Sequence, residues 1–257
     1  MVIKISNDYF VKNRSLSEEV KANIIKYIKT MDLRKNNKLP NEDLLANLFG
    51  VSRITIRSAL NELSSEGLVF RQQGRGTFVN VEALQMKVTL NPAVEFEDMI
   101  RNSGYSVDVK ILKTYTKTVS KKIANILRIE PTDEVLVIER MYYADNHPAA
   151  LVIDYLPQKF IQDQLTANEH ALSIFKIVNI KCGRKITWDK IELSTVSIGE
   201  EPKLGEYFDT TDPAKSLLLC EAVNFDDSNE PIVFALEYID TNFIRFNLIR
   251  QKDVEYL

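Results

Sequence analysis

The chain has 257 residues, which is enough for two domains that each bury a core. Its apolar content of 45% and charged content of 27% are ordinary for a globular protein, and no apolar run is long enough to predict a membrane span. The first fifteen residues lack the pattern of a secretory signal, and two cysteines exclude a disulfide framework, so we expect a cytoplasmic protein.

Charge is distributed unevenly along the chain. Residues 1–80 contain thirteen Lys and Arg against eight Asp and Glu, a net charge of +5, whereas the remaining residues contain twenty against twenty-eight, a net charge of −8. Attraction to phosphates is local and screened by salt. We therefore expect that only the N-terminal part of the chain binds a polyanion.

Three amphipathic helices are predicted in this basic part. The first follows the segment "LSEEVKANIIKYIKT", where Val20, Ile24 and Ile28 recur at helical intervals. The second begins after Asn41, which is a good N-cap residue, and a third begins after Ser52 and extends over 52–66. The apolar residues of the second helix are predicted to face inward: Leu44, Leu45, Leu48 and Phe49.

The third helix has two different faces. Its apolar stripe consists of Ile56, Ala59, Leu60 and Leu63. The opposite face carries Ile54, Arg57, Ser58 and Asn61, flanked by Arg53 and Thr55. Arg57 and Asn61 have the donors and acceptors that pair with base edges, and Ile54 suits a thymine methyl group, so the helix is predicted to read DNA. Taken alone, this face also fits an ordinary solvated helix.

A β-hairpin is predicted directly after this helix. The β-prone runs "LVF" and "TFV" flank "RQQGRG", which places Arg71 and Arg75 beside Gly74 and Gly76. Glycines let the backbone come close to DNA, and the arginines suit phosphates or a narrow minor groove. The predicted DNA contacts are Ser52, Arg53, Ile54, Thr55, Arg57, Ser58, Asn61, Arg71, Gly74, Arg75 and Gly76.

The segment "LPNEDLLANLFGVSRITIRSALNELSSEGLVFRQQGRGTFV" resembles the winged helix-turn-helix of the GntR family. The resemblance implies that Ser52, Arg53, Thr55, Arg57 and the wing glycines contact DNA, and that the protein binds a pseudo-palindrome as a homodimer. Asp43 departs from the family, which usually has an arginine there. This departure predicts an atypical operator or a modest affinity.

The composition becomes mixed after this region. From Asn80 to about Asn91 no helical or strand period is visible, which is typical of a linker. We therefore predict a DNA-binding domain at 1–79, a linker at 80–91 and a second domain at 92–257.

The second domain contains an internal duplication. The segment "PTDEVLVIERMYYADNHPAALVIDYL" aligns with "PAKSLLLCEAVNFDDSNEPIVFALEYI", so that Glu139 corresponds to Glu221 and Tyr155 to Tyr238. Each unit is predicted to contain a strand, a helix, a strand, a turn and a strand. Two such units predict an antiparallel sheet with helices packed on it, and hence an α+β fold class.

The duplicated domain resembles the UTRA domain of the HutC-like branch, which is similar in fold to chorismate lyase. The residues that carry this resemblance lie in "FEDMIRNSGY", "VLVIERMYY", "DYLP" and "YIDTNFIRF". The resemblance implies a small-molecule effector, often a sugar phosphate, and a contribution to dimerisation.

The predicted effector site has lost much of the cationic character that the resemblance implies. Glu95, Phe96 and Glu97 stand where relatives have hydroxyl-bearing residues, and Tyr142 stands where a second arginine follows Arg140. Two carboxylates would repel a phosphate, which favours a neutral or amine-bearing metabolite over a sugar phosphate. The predicted effector contacts are Glu95, Phe96, Glu97, Arg140, Tyr142, Asp154, Tyr155, Glu237 and Tyr238.

Two interpretations without a ligand remain open for this site. Glu95 and Glu97 also suit the positive end of a helix while facing solvent. Arg140 also suits a structural ion pair with Glu139 or Asp154.

The sequence predicts a transcriptional regulator, most simply a repressor released by its effector. It has two histidines, His147 and His170, in turn-like segments with no nucleophile motif beside them, and it shows no metal-ligand spacing. We therefore expect neither catalysis nor a cofactor or metal. The alternatives are an architectural DNA-binding protein without a ligand and, on fold similarity alone, a lyase-like enzyme.

Overall fold

The computed structural model describes residues 16–84, 86, 88–90, 94–163, 165–166, 169 and 172–249. His170 lies outside the described residues. Contacts divide the described chain into two compact units, one formed by residues 16–90 with 247–249 and the other by residues 94–246. In the described part of the chain, no helix combines the length and apolarity needed to cross a bilayer.

Three helices form most of the first unit: α1 (Leu16–Thr30), α2 (Glu42–Phe49) and α3 (Arg53–Ser65). The predicted N-caps are confirmed, because the Asn41 side chain accepts a hydrogen bond from the Leu44 amide and the Ser52 side chain accepts one from the Thr55 amide. Between α2 and α3, Gly50 turns the chain at a φ of 66°, a backbone conformation that glycine adopts without steric strain.

The predicted apolar stripe of α3 is confirmed as the centre of this unit's core. Its four members pack against Val20, Ile24 and Ile28 of α1. The prediction for α2 is wrong in part, because Leu44 and Leu48 are each 58% exposed while Leu45 and Ala46 are buried. An eight-residue helix buries only one stripe here, and α2 turns the Leu45 side inward.

The predicted hairpin is formed by β1 (Val69–Gln72) and β2 (Gly76–Val79), which pair antiparallel. Residues 37–39 extend the pairing, since the Leu39 amide donates to the Thr77 carbonyl at 2.9 Å. The predicted linker is not irregular throughout, because α4 (Val81–Leu84) forms one helical turn at its start.

The first unit also contains a segment from the far end of the chain. Thr89 forms a parallel bridge with Asn247, and the Asn247 amide donates to the Val88 carbonyl at 3.0 Å. Two residues later, Ile249 lies against Gly67. Residues 247–249 therefore complete a unit whose other described residues end at 90.

The second unit contains, in its described residues, a six-stranded antiparallel sheet in the order β3–β4–β5–β8–β7–β6. The strands are β3 (Val107–Thr118), β4 (Glu134–Ala144), β5 (His147–Pro157), β6 (Ile186–Ser197), β7 (Ser216–Asp226) and β8 (Pro231–Ile239). The helices are α5 (Phe96–Ser103), α6 (Lys121–Leu127), α7 (Ile174–Cys182) and α8 (Lys203–Tyr207), with a short 3-10 turn at Gln158–Phe160. The α+β fold class is confirmed.

Each face of the sheet is covered by two helices. On one face, which we call the α5/α7 face, α7 packs on Leu136, Ile138 and Val233, and Phe96 of α5 contacts Tyr142. On the opposite α6/α8 face, Ala124 and Leu127 of α6 lie in one cluster and Leu204 of α8 in another. Successive strand residues point to opposite faces, so the face of each side chain is fixed by its position in the strand.

The order of elements predicted from the duplication is confirmed. The first repeat runs β3, α6, β4, turn and β5, and the second runs β6, α8, β7, turn and β8. The final strands of the two repeats, β5 and β8, pair at the centre of the sheet. His147, the first residue of β5, directly follows the turn of the first repeat; its Nδ1 donates to the Asp145 carbonyl at 3.0 Å and its ring stacks on Phe243.

Candidate nucleic-acid interface and ligand site

The outer face of α3 presents the residues that the sequence predicts to meet DNA. Ile54 is 81% exposed, an unusual position for a large apolar side chain, and Arg53, Arg57 and Asn61 are exposed with it. On the inner side of the same helix, Ile56 and Ala59 are completely buried. The helix is therefore fixed on its inner side and open on its outer side.

The hydroxyl groups at the start of α3 are engaged within the unit. Ser52 Oγ lies 2.8 Å from Thr55 Oγ1, and it also accepts from the Thr55 amide at 3.1 Å. Ser58 Oγ accepts from Ser17 Oγ of α1 at 3.2 Å. These contacts fix the start of α3 and direct Ser58 toward α1, away from Ile54.

Three of the predicted DNA-binding arginines pair with carboxylates of α2. The Arg57 guanidinium donates to Glu42 Oε2 from Nη2 at 2.8 Å and from Nε at 3.2 Å. Arg71 Nη2 lies 3.6 Å from Glu42 Oε1, and Arg53 Nε lies 3.0 Å from Asp43 Oδ1. The hydrogen bond from Arg57 is the main reason that the pKa of Glu42 is lowered from its usual value.

The sequence did not predict these pairs. Glu42 and Asp43 have an evident local role in the first turn of α2, where the helix dipole favours a carboxylate. Residues separated by ten or more positions give no periodic signal. The sequence signal for the pairs is two acids in the first turn of α2, followed by arginines in α3 and the hairpin.

The hairpin tip has the geometry expected of a wing. Gly74 and Gly76 have φ angles of 72° and 112°, a region that residues with a Cβ rarely adopt. The Arg75 guanidinium lies 5.8 Å from the centre of the Phe78 ring, and Lys38 Nζ lies 6.0 Å from it. The wing thus places cations beside a backbone that has no side chains at its two glycines.

In the second unit, Arg140 and Asp154 form a buried ion pair on the α5/α7 face. Arg140 Nη1 donates to Asp154 Oδ2 at 2.5 Å, and Nη2 donates to the Leu172 carbonyl at 2.8 Å. Burial raises the pKa of Asp154, and the guanidinium opposes this shift. Of the two partners proposed for Arg140, Asp154 is the one observed, because Glu139 points to the other face and accepts from Tyr115 at 3.0 Å.

Beside this pair, the starts of α5 and α7 are joined by their own side chains. Glu95 is the N-cap residue of α5, yet its carboxylate does not cap that helix and instead accepts from Ser173 Oγ at 2.9 Å. Ser173 is the N-cap residue of α7 and likewise makes no capping bond. Glu95 is therefore directed into the site, rather than to solvent alone.

Phe96 and Glu97 complete this side of the site. The Phe96 and Tyr142 rings are 5.1 Å apart at an angle of 33°. Glu97 Oε2 is a buried atom without a hydrogen-bond partner in the described part of the chain. Burial raises the pKa of Tyr142; Arg140 opposes this shift, while the charges of Asp154, Glu97 and Glu95 add to it.

Glu237 adds a further carboxylate to the same face. It pairs across the sheet with Val152 on one side and with Cys220 on the other. Burial raises the pKa of Glu237 to about 7, the Cys220 thiol opposes this by hydrogen bonding, and Asp154 and Asp189 add to it. Cys220 was not predicted here, although its correspondence to Ile138 in the duplication gives its strand position.

Two predicted effector contacts lie on the other face. Tyr155 packs in a cluster with Ala124 and Leu127 of α6, and Tyr238 packs with Leu204 of α8. The structure therefore brings together Glu95, Phe96, Glu97, Arg140, Tyr142, Asp154 and Glu237, but not Tyr155 or Tyr238. Asp154 and Tyr155 are neighbours in a strand, and so are Glu237 and Tyr238, so each pair is divided between the faces.

Two family models match this chain. The model described as "Bacterial regulatory proteins, gntR family" matches residues 16–79, and the UTRA domain model matches residues 102–245. The second match covers more than half of the chain. The two matches coincide with the helical unit and with the sheet unit described above.

Similar proteins carry names of the same kind. The chain is 28% identical over 237 residues to the "Uncharacterized HTH-type transcriptional regulator YurK" of Bacillus subtilis, covering 87% of this chain and 93% of that protein. It is 24% identical over 221 residues to the "Probable fructoselysine utilization operon transcriptional repressor" of Shigella flexneri, covering 82% and 83%. The crystal structure of possible transcriptional regulator YydK from Bacillus subtilis has the same fold, with a TM-score of 0.73, 19% identity and coverage of 92% and 100%.

Proposed function

The chain belongs to the gntR family of bacterial regulatory proteins and carries a UTRA domain, and from this premise we propose that it is a cytoplasmic repressor that binds a two-fold-symmetric operator as a homodimer. A small molecule bound on the α5/α7 face releases it from DNA. The family is one of transcription regulators, and the proposal contains no enzymatic step.

The observation that carries the DNA-binding part is the outer face of α3. A major groove offers a thymine methyl group to the exposed Ile54 and base-edge acceptors to Arg57 and Asn61. Solvent offers Ile54 no such apolar contact. The wing adds phosphate contacts through Arg71 and Arg75. Helix α3 thus reads the sequence while the wing fixes the position on the duplex.

Selection of DNA from a random duplex library by the full-length protein tests this part. We expect enrichment of an inverted repeat whose half-sites are bound with equal affinity. Enrichment of a single unrepeated site would contradict the homodimer, and the absence of any enriched sequence would favour the architectural alternative.

The observation that carries the ligand part is the charge of the α5/α7 face. Glu95 and Glu97 lie at the start of α5, on the same face as an arginine that is already paired with Asp154. A phosphate placed among these carboxylates would be repelled, whereas an ammonium group would be attracted and would supply the missing donor for Glu97 Oε2. We therefore propose an amine-bearing or neutral polyhydroxyl effector in place of a sugar phosphate.

Thermal unfolding of the full-length protein with chosen probes tests the ligand class. Suitable probes are fructoselysine, which joins a sugar to an amine and is suggested by the name of one relative, together with glucose, a diamine and glucose 6-phosphate. A ligand at a hundred times its Kd stabilises the fold by about 2.7 kcal/mol. We expect a rise in Tm with an amine or neutral probe, and a rise with glucose 6-phosphate alone would overturn the proposed class.

A matched pair of variants locates the site. Glu97→Gln should reduce the rise in Tm caused by an amine, because the carboxylate charge is lost. Tyr155→Phe should leave it unchanged, because Tyr155 lies on the α6/α8 face. The reverse result would place the ligand on the other face.

The link between ligand and DNA requires only a difference in affinity between two arrangements of the dimer. An effector that prefers the arrangement unable to bind DNA by about 1–3 kcal/mol per site reduces operator affinity by the corresponding factor. Because such coupling is reciprocal, operator DNA should weaken effector binding by the same factor. Titration of the effector with and without operator DNA measures the change in effector affinity, which should equal the change in operator affinity.

A further inference from the structure

The first unit contains a carboxylate cluster that faces the predicted DNA-reading residues. Glu42 accepts hydrogen bonds from Nε and Nη2 of Arg57 and lies 3.6 Å from Arg71, while Asp43 Oδ1 forms an ion pair with Arg53 Nε at 3.0 Å. All three arginines are more than 40% exposed, so they are accessible to a ligand. The arginines that connect α3 and the wing to α2 are thus already paired with carboxylates.

Stability is a poor explanation for these pairs. Ion pairs between exposed side chains contribute little to folding, because water and salt screen them and long side chains lose freedom when they are held. The core of this unit consists of apolar residues from α1, α2, α3 and the hairpin, and none of these charged residues belongs to it. The carboxylates of these pairs lower the net positive charge of the surface that is predicted to meet DNA. They also occupy hydrogen-bond donors of the arginines.

The effect on DNA binding differs between random and specific sequences. Every duplex offers phosphates, so a free arginine raises affinity for any sequence. A paired arginine must give up a carboxylate before it gains a phosphate, and the carboxylate it leaves is then repelled by the duplex. A bidentate contact with a guanine compensates better for the lost carboxylate, because two donors of the guanidinium form hydrogen bonds again.

We propose that Glu42 and Asp43 are specificity-determining residues, which hold Arg53, Arg57 and Arg71 in competition with DNA phosphates and thereby suppress binding to random sequence. This inference rests on the proposed DNA-binding function. It assigns to Asp43 a positive role, since the carboxylate that weakens phosphate contacts also keeps the arginines from binding where no base contact is available.

The test compares full-length wild-type protein with Glu42→Gln, Asp43→Asn and the double variant. Glu19→Gln is the matched control, because it makes the same change in net charge at an exposed position of α1, a helix that supplies none of these arginine contacts. Binding to a random-sequence duplex is measured by fluorescence anisotropy between about 50 and 200 mM salt. The same variants are measured on the duplex that the wild-type protein selects.

We expect each variant to bind random duplex about three- to tenfold more tightly than the control variant. The slope of log affinity against log salt should become more negative by about 0.9 for each arginine released to a phosphate. Affinity for the selected duplex should change less, so that the ratio of specific to random affinity falls, most strongly in the double variant.

Three results would overturn the inference. If the variants and Glu19→Gln bind random duplex equally, the pairs do not compete with phosphates. If random-duplex affinity falls, the carboxylates position the arginines for phosphate binding instead. If folded wild-type protein and all variants fail to bind either duplex even at low salt, the proposed function itself fails, and this inference with it.

Discussion

The Arg140 guanidinium donates to Asp154 at 2.5 Å in a position where both side chains are 2% exposed. Removing one partner of such a pair leaves an uncompensated charge, whereas replacing both by apolar residues does not. We expect Asp154→Ala to lower the free energy of unfolding by about 3–5 kcal/mol. The double change Arg140→Met with Asp154→Leu should recover most of this loss, as measured by urea denaturation.

The comparison between the single and double variants is the control for this prediction. Equal losses would mean that the site depends on the shape of these side chains and not on their charges.

Glu237 predicts a pH dependence of stability. Its pKa is raised from 4.5 to about 7 in the folded protein, chiefly by burial, so the folded state holds this proton more tightly than the unfolded state. The stabilisation from protonated Glu237 is therefore complete below pH 4.5 and is lost as the pH rises to about 7, by up to about 3 kcal/mol at 1.36 kcal/mol for each pH unit. We expect Glu237→Gln to flatten the fall in Tm across this range.

Exposed Glu134, at the start of β4, provides a control of the same charge. Glu134→Gln should leave the pH profile unchanged. A profile that is as steep in Glu237→Gln as in wild type would assign the titration to another group, such as Asp154.

Arg57 and Arg75 should differ in the kind of DNA contact that they make. Arg57→Ala should lower affinity for the selected operator by about 1–3 kcal/mol and relax discrimination at one base position. Arg75→Ala should weaken all sequences to a similar extent and reduce the salt slope by about one. Equal loss on random and selected duplex in Arg57→Ala would show that Arg57 contacts phosphate only.

Gly67 predicts a steric effect of a single methyl group. Gly67 has a φ of 72°, and a Cβ there would lie 2.7 Å from Ile249 Cγ2. The control is Gly50, which has a φ of 66° and no atom within 4 Å of the same position. Gly50→Ala should cost about 1–2 kcal/mol from backbone strain alone, and Gly67→Ala should cost about 1–3 kcal/mol more from the clash. Equal costs in thermal unfolding would mean that Ile249 moves aside freely.

Much of the fold could be predicted because it depends on local signals. Ser52 and Asn41 cap helices through their own hydrogen bonds, and the Ile56 stripe follows the helical period, so the sequence alone located them. The stripe of α2 was harder because Leu44 with Leu48 and Leu45 with Phe49 are both spaced by four residues. Only the position of the neighbouring helices decides which pair is buried.

The ligand site was predicted in part for a similar reason. The duplication located the strands, but it said nothing about which face carries the ligand, so Asp154 and Tyr155 were assigned together. Strand alternation separates them. The partners of Glu95 and Arg140, by contrast, come from segments up to 78 residues away, and no local pattern predicts such contacts.

The pairing of Thr89 with Asn247 has a consequence for biosynthesis. Residues 16–90 leave the ribosome before residues 94–246, but the residues that pair with Val88 and cover Gly67 follow only after the whole of 94–246 has been made. Nascent chains released before residue 247 would carry α1 to α4 without this last segment. The unit of residues 16–90 therefore completes its folding only after residues 94–246 have been made, and a truncated product would expose the surface that Ile249 normally covers.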